Sequence, residues 1–323
     1  MTVTPNSSRP PATATVPDAA PGNWVDRLAP ATSLPYLRLA RFDRPIGAWL
    51  LLFPCWWSQA LGELSLGRPY PDLTYLGLFL IGAFVMRGAG CTYNDIVDRE
   101  YDASVARTAA RPIPSGQVGV AEAWMFFALL CVVGFLVLIQ FNLFTVVLGA
   151  SSLLLIAIYP FMKRLTYWPQ LVLGLTFKWG ALVGWAAVTG SLSLAAVALY
   201  AGSVLWTIGY DTIYAHQDKE DDLALGLKST ALRFGTATPR WLTAFYVGAV
   251  LLWGVAGALA GARLAYFLAL GLCGVQLAWQ VATLAIDDPA NCLARFRSNQ
   301  LIGWGLFLGA VADMGIAALL EAP

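Results

Sequence analysis

Nine apolar runs divide the chain, at residues 46–61, 73–93, 121–140, 143–161, 169–189, 194–216, 241–260, 264–286 and 301–320. Most approach the roughly 20 residues a helix needs to cross a bilayer. The pattern therefore predicts an all-α integral membrane protein of nine transmembrane helices. The first run is the shortest and has the least defined ends. Before it, residues 1–33 are rich in Pro, Ala, Thr and Ser and show no apolar period, which reads as a disordered tail, leaving 34–323 as the membrane domain. That tail lacks the continuous apolar core of a signal peptide, and Asp18 and Asp26 argue against a transit peptide.

The polar positions between the runs orient the bundle. Sixteen of the twenty Lys and Arg fall in alternate segments: before the first run (Arg9, Arg27, Arg38, Arg41, Arg44), after the second (Arg99, Arg107, Arg111), after the fourth (Lys163, Arg164), after the sixth (Lys219, Lys228, Arg233, Arg240) and after the eighth (Arg295, Arg297). The other loops hold only Arg68 and Arg263, and Arg87 and Lys178 lie inside runs. Positive residues mark the cytoplasmic side, so the N-terminus and these loops are expected there and the C-terminus outside.

Composition supports the membrane reading. The chain is 58% hydrophobic and 12% charged, where a soluble domain carries about a quarter charged residues. A net charge of +1 gives no bulk attraction to nucleic acid, and none is expected as a partner. Cys55, Cys91, Cys131, Cys273 and Cys292 are widely spaced, which excludes a disulfide framework or a zinc site, and His216 is the sole histidine.

The chemistry concentrates where two runs end. Asn94-Asp95-Ile96-Val97-Asp98-Arg99-Glu100-Tyr101-Asp102 closes the second run. Residues four apart share a helix face, so Asn94, Asp98 and Asp102 form one ridge with Asp95 beside it, and like charges at that spacing repel. A divalent cation removes the repulsion; Mg²⁺ takes one or two carboxylates together with phosphate oxygens and water. The sixth run ends in a second acidic cluster, Asp211, Asp218, Asp221 and Asp222, in which Asp218 and Asp222 repeat the step of four. Both clusters fall on the expected cytoplasmic side. Each precedes a basic, glycine-containing loop, which suggests two similar halves around a central cavity. A diphosphate bridging metal ions between the clusters would need further cations, for which Arg107, Arg111, Lys163, Arg164 and Lys228 are candidates. Arg87 lies two turns before Asn94, and an arginine within a span must face a cavity or a partner.

These stretches resemble the UbiA family of intramembrane prenyltransferases. The resemblance rests on Arg41-Phe-Asp-Arg-Pro-Ile-Gly47, on residues 87–102, on Arg107-Thr108 with Arg111-Pro112, on Tyr159-Pro-Phe-Met-Lys-Arg164, on Pro169-Gln170, on Tyr210-Asp-Thr-Ile-Tyr214 through Asp222, and on Gly226-Leu-Lys-Ser-Thr-Ala231. It covers roughly residues 36–320. It implies nine helices around a cavity, Mg²⁺ dependence, a bacterial cell inner membrane, and transfer of a polyprenyl group from polyprenyl diphosphate to 4-hydroxybenzoate, ortho to the hydroxyl, in ubiquinone synthesis. Carried over by position, Asn94, Asp98, Asp102, Asp218 and Asp222 become metal ligands, and Arg164 joins the four aspartates as catalytic. Metal ions stabilise the charge that develops on a departing diphosphate. The tail of the donor needs an apolar exit into membrane lipid. Asp95, Asp98 or Asp211 could take a proton from the acceptor, and Arg41, Arg87 or Arg164 could hold its carboxylate. Another aromatic acceptor on the same fold, or a Mg²⁺-binding transporter, remains open at this point.

Two charges fall outside that pattern. Lys178 lies near the middle of the fifth run and Asp313 near the middle of the ninth. A charge at mid-bilayer costs about 2.5–3.5 kcal/mol on insertion scales, so the two opposite charges are expected to pair.

Overall fold

The structure is a computed structural model, and it describes residues 19, 22–105 and 108–321. Most of the expected tail, and the diphosphate candidate Arg107, lie outside the described residues. Every regular element among those residues is a helix. Eight helical stretches are long and apolar enough to cross a membrane: Leu73–Ser104, Val120–Leu138, Leu143–Leu165, Pro169–Thr189, Leu194–Ala224, Thr230–Leu259, Leu264–Ala282 and Pro289–Leu320. The first expected run forms the helix Ile46–Ser65. Trp49, Trp56, Trp57, Gln59 and Glu63 make it less apolar than the other eight. The protein is a multi-pass membrane protein.

The chain packs as two units, Met1–Gly47 with Phe84–Gly134 and Ala48–Ala83 with Phe135–Pro323. The first unit has a small core of Leu39, Ile96, Ile113, Val118 and Ala123, against which Tyr36 and Phe126 pack. Among the described residues, helical structure in this unit begins before residue 34. A short helix, Trp24–Leu28, is capped by the Asn23 side chain, which accepts from the Val25 and Asp26 amides. Val25 is buried, and Arg38 donates to Asp26 over 2.9 Å. The stretch expected as tail therefore contributes a docked element.

The second unit is held by small residues under large rings. Gly202 and Gly209, seven apart on Leu194–Ala215, lie beneath Trp253 and Tyr246 of Thr238–Leu259. Without a hydrophobic drive between helices in lipid, such close approach and interhelical hydrogen bonds supply the association. The bonds are present. Trp57 donates to the Gly303 carbonyl (2.8 Å), Trp206 to Asn299 Oδ1 (2.7 Å), Trp253 to Ser203 Oγ (3.2 Å) and Tyr246 to Gln280 Oε1 (3.0 Å).

The two mid-span charges do not pair. The run 169–189 is broken into Pro169–Phe177 and Gly180–Thr189, and Lys178 sits in the break. Its Nζ donates to the Leu50 carbonyl over 2.6 Å and lies over the Trp206 ring at 4.4 Å and the Tyr210 ring at 5.2 Å. The reason is Pro54, inside Ile46–Ser65. A helical proline has no N–H for the carbonyl four residues before it; here that carbonyl is Leu50, and Lys178 supplies the missing donor. Asp313 instead accepts from the Arg263, Ala265 and Tyr266 amides at 2.6, 3.0 and 3.2 Å, satisfying the start of Leu264–Ala282, whose first amides lack intrahelical partners. The helix carrying Asp313 begins at Pro289, well before the apolar run, so Asp313 lies towards its far end and not at its middle.

Candidate active site

The first acidic motif lies wholly on the helix Leu73–Ser104, so the expected ridge exists. Asp95, Asp98 and Asp102 are buried, and Asn94 is half-buried. Two arginines organise this end of the helix. Arg41 Nη2 donates to both oxygens of Asp95, at 2.7 and 2.8 Å. Arg111 Nη1 donates to Asp95 Oδ1 at 3.2 Å and to Asp102 Oδ2 at 2.8 Å. The segment carrying Arg111 is tied down by Thr108, whose hydroxyl donates to the Asp102 carbonyl, and by Ser115, whose hydroxyl donates to the Arg111 carbonyl. Burial works against the Arg41 charge, but Asp95 beside it more than offsets this and raises the guanidinium above its ordinary value. Burial holds the nearby Asp43 carboxyl above the usual range, against the pull of Arg44 and Arg41.

The structure places three of the candidates together. Both oxygens of Asp95, a candidate base, accept from guanidinium groups, and Arg41, a candidate for the acceptor's carboxylate, and Arg111, a candidate for the diphosphate, donate to the motif itself. Arg87 is a further candidate for the acceptor's carboxylate. Its guanidinium lies against Gly47, where an added Cβ would meet Nε at 2.6 Å, which explains the glycine in Arg41-Phe-Asp-Arg-Pro-Ile-Gly47.

In the second unit, the helix Leu194–Ala215 passes through a 3₁₀ turn, His216–Asp218, into Lys219–Ala224. Asp218 and Asp222 are thus on successive elements and not on one regular helix. Both are half-buried, as is Asp211, whereas Asp221 is exposed. Lys219 forms an ion pair with Asp287, and that hydrogen bond holds the Asp287 carboxyl below its ordinary value. His216 Nε2 shares a hydrogen bond with the Thr238 hydroxyl at 3.0 Å.

The basic candidates are gathered by the loop that follows. Gly226, at φ 67°, ends Lys219–Ala224 with Leu227 N donating to Asp222 O (2.8 Å) and Gly226 N to Leu223 O (3.2 Å), the paired bonds of a Schellman cap. Lys228 N then donates to the Lys163 carbonyl at 2.8 Å, so Lys163 and Lys228 lie side by side, adjoining the turn of Asp222. Lys228 Nζ reaches the Leu165 carbonyl at 3.2 Å. Arg164 lies 5.7 Å from the Phe161 ring centre. Beneath, buried Gln170 accepts from the Thr230 amide at 3.0 Å, and the Thr212 and Thr230 hydroxyls meet at 2.6 Å. Gln170, Thr212 and Thr230 received no role from sequence; the signal was a glutamine and a threonine, Gln170 and Thr212, inside apolar runs, where polar side chains need partners.

Among the described residues no three acidic, histidine or cysteine side chains gather into a ready-made metal cage. The hard oxygen donors present fit Mg²⁺, which relies on few protein carboxylates and completes its octahedron with water and phosphate oxygens.

The sequence profile of the UbiA prenyltransferase family matches residues 51–309. The chain is 51% identical over 292 residues to the mitochondrial 4-hydroxybenzoate polyprenyltransferase of Drosophila pseudoobscura pseudoobscura, covering 90% of this chain and 73% of that one. It is 48% identical over 284 residues to the human mitochondrial protein of the same name, covering 88% and 76%. Its fold is similar to that of an apo UbiA homologue from Aeropyrum pernix K1, with a TM-score of 0.68 at 25% identity over 82% of this chain and 98% of that one. The fold is also similar to that of a UbiA homologue from Archaeoglobus fulgidus bound to GPP and Mg²⁺, with a TM-score of 0.61 at 19% identity over 86% and 99%. On a profile that spans most of the chain and identities near one half, this chain belongs to the UbiA prenyltransferase family.

Proposed function

We propose that the protein transfers a polyprenyl group from polyprenyl diphosphate to 4-hydroxybenzoate, ortho to the hydroxyl, for ubiquinone synthesis. The observation that carries this reading is the identity of about one half, over nine-tenths of the chain, to relatives named for that activity. The solved A. fulgidus homologue, bound to GPP and Mg²⁺, supports a prenyl diphosphate as the donor and a divalent metal.

In the proposed reaction the bond between the allylic carbon and the diphosphate oxygen breaks, a carbon–carbon bond forms ortho to the phenol oxygen, and the ring loses a proton. Asn94, Asp98 and Asp102, with Asp218 and Asp222, would hold Mg²⁺. When bound, it supplies charge neutralisation to the departing diphosphate. Lys163, Arg164 and Lys228 offset the remaining phosphate charge. Arg87 or Arg164 receives the acceptor's carboxylate, and Asp211 is the proposed proton acceptor. The helix bundle leaves the donor's tail in lipid. The relatives named are mitochondrial and lend no support to a bacterial inner membrane, so the reading is kept to a multi-pass membrane enzyme with its acidic motifs on the side rich in Lys and Arg.

The test is purified protein in lipid with geranyl diphosphate, 4-hydroxybenzoate and Mg²⁺. A 3-prenylated product that disappears with EDTA is expected. Prenylation of other aromatic acceptors but not of 4-hydroxybenzoate would overturn the assignment.

A further inference from the structure

We propose that Arg41, Asp95 and Arg111 form a clamp that sets the orientation of the metal-binding helix end, with Asp95 a positioning residue and not a proton acceptor. The argument begins with the backbone. At the end of the helix Leu34–Leu39, Phe42 N donates to Leu37 O and Arg41 N to Arg38 O, the two bonds of a Schellman cap. Arg41 occupies its left-handed position, at φ 63°, and among the described residues it is the sole non-glycine with positive φ. Glycine adopts that conformation without strain, whereas a side chain there costs about 1–2 kcal/mol. Strained residues persist where the surrounding structure holds them, and they gather at functional sites.

What Arg41 gains is a pair of bonds from one nitrogen, Nη2, to both oxygens of Asp95, which is fully buried. Its Nη1 donates to the Arg38 and Leu39 carbonyls at 3.1 and 3.3 Å, so the planar guanidinium is held at both ends, where the single nitrogen of a lysine could serve only one. Asp95 precedes Asp98 by three residues and Asp102 by seven, so the three face the same side of the helix within two turns. Arg111 bridges Asp95 and Asp102 directly. The clamp therefore fixes how far the helix is rotated and where the Asp102 carboxylate points, while engaging one oxygen of that carboxylate and leaving the other out of the bond. Groups that orient metal ligands in this way are commonly worth about 10–100-fold in metal affinity or activity.

The inference rests on the proposed Mg²⁺-dependent reaction, and two variants separate the possible failures. Arg41→Gly removes the clamp and relieves the backbone strain but leaves buried Asp95 with Arg111 alone, so it should fold with a lowered melting temperature, and its Mg²⁺ dependence is read relative to its own metal-free melting point. Asp95→Asn keeps the shape and removes the charge. For each, the Mg²⁺ concentration giving half-maximal protection from thermal unfolding is measured without substrate, followed by the pH–rate profile. The expected result is a rise of about 10–100-fold in half-protecting Mg²⁺, a fall in turnover partly restored by added Mg²⁺, and unmoved pH limbs. The double variant should be little worse than either single, because the two act as a unit. Loss of a pH limb in Asp95→Asn at unchanged Mg²⁺ affinity would make Asp95 the base and overturn the proposal. So would unchanged Mg²⁺ protection in well-folded Arg41→Gly. If the native protein gained no protection from Mg²⁺ at all, both this inference and the metal-dependent reading would fall.

Discussion

Single residues decide how the charged groups are presented. An added Cβ on Gly226 meets nothing within 4 Å, so Gly226→Ala tests backbone conformation alone. At φ 67° it should cost about 1 kcal/mol and loosen the loop that sets Lys228 beside Lys163. A raised KM for the prenyl diphosphate is expected, with Gly226→Asn milder because asparagine tolerates the left-handed region; equal kinetics for both variants and the native protein would show that the cap does not position Lys228. Gly47→Ala works differently. Its methyl would displace the head of a flexible arginine, so stability should barely change while KM for 4-hydroxybenzoate rises, provided Arg87 holds the acceptor. The ridge of Asn94, Asp98 and Asp102 was legible in sequence because it depends only on helical period. The role of Asp95 was not, because its partner Arg41 lies 54 positions away and no local pattern encodes that meeting.

Helices in this chain are joined by compensations that sequence depth alone misjudges. Counting along the apolar runs put Lys178 and Asp313 at mid-membrane and paired them by charge. Lys178 instead fills the vacancy left by Pro54, and Asp313 caps the neighbouring helix, because Pro289–Glu321 starts earlier than its apolar part. The first relation has a measurable consequence. Lys178→Met leaves the buried Leu50 carbonyl without its donor, a loss of about 1–3 kcal/mol, to which the aromatic contacts add. In a Pro54→Ala background the new amide can bond Leu50 O, so the cost of Lys178→Met should shrink by at least about 1 kcal/mol. Thermal unfolding of the four proteins in detergent measures this, and additive shifts would show that lysine and proline are independent. A second contact tests the same interface from its other side. A Cβ on Gly184 would run into the backbone of Cys55, which cannot move aside as a side-chain tip can, so Gly184→Ala should destabilise by about 1–3 kcal/mol.

At the scale of the molecule, the number of crossings sets which loops share the Lys- and Arg-rich side. The hydrophobic pattern made the membrane class legible, since eight stretches stand out by length and composition alone. The ninth, Ile46–Ser65, is ambiguous by composition because tryptophans and polar side chains fill positions that pack inside the bundle: Trp57, Ser58, Gln59 and Glu63 are all buried. Its contacts resolve the ambiguity. Trp56 donates to the Leu76 carbonyl at 3.1 Å and Gln59 to the Asp72 carbonyl at 2.9 Å, while Gly47 abuts Arg87; later residues of one helix meet earlier residues of the other, as in an antiparallel hairpin. Twenty residues at 1.5 Å each make about 30 Å, the thickness of the hydrocarbon layer. The helix therefore crosses, and Leu66 should lie opposite the Lys- and Arg-rich side. Cysteines placed at Thr32, Leu66, Ser104, Ser191 and Glu220, all exposed, report this in sealed vesicles of known orientation with a membrane-impermeant maleimide. The native cysteines are buried or half-buried and should give little background. Thr32→Cys, Ser104→Cys and Glu220→Cys should label from the Lys- and Arg-rich side and Leu66→Cys and Ser191→Cys from the other. Labelling of Thr32→Cys and Leu66→Cys from the same side would show that Ile46–Ser65 does not cross, and would put the N-terminus opposite the side that its positive residues assign.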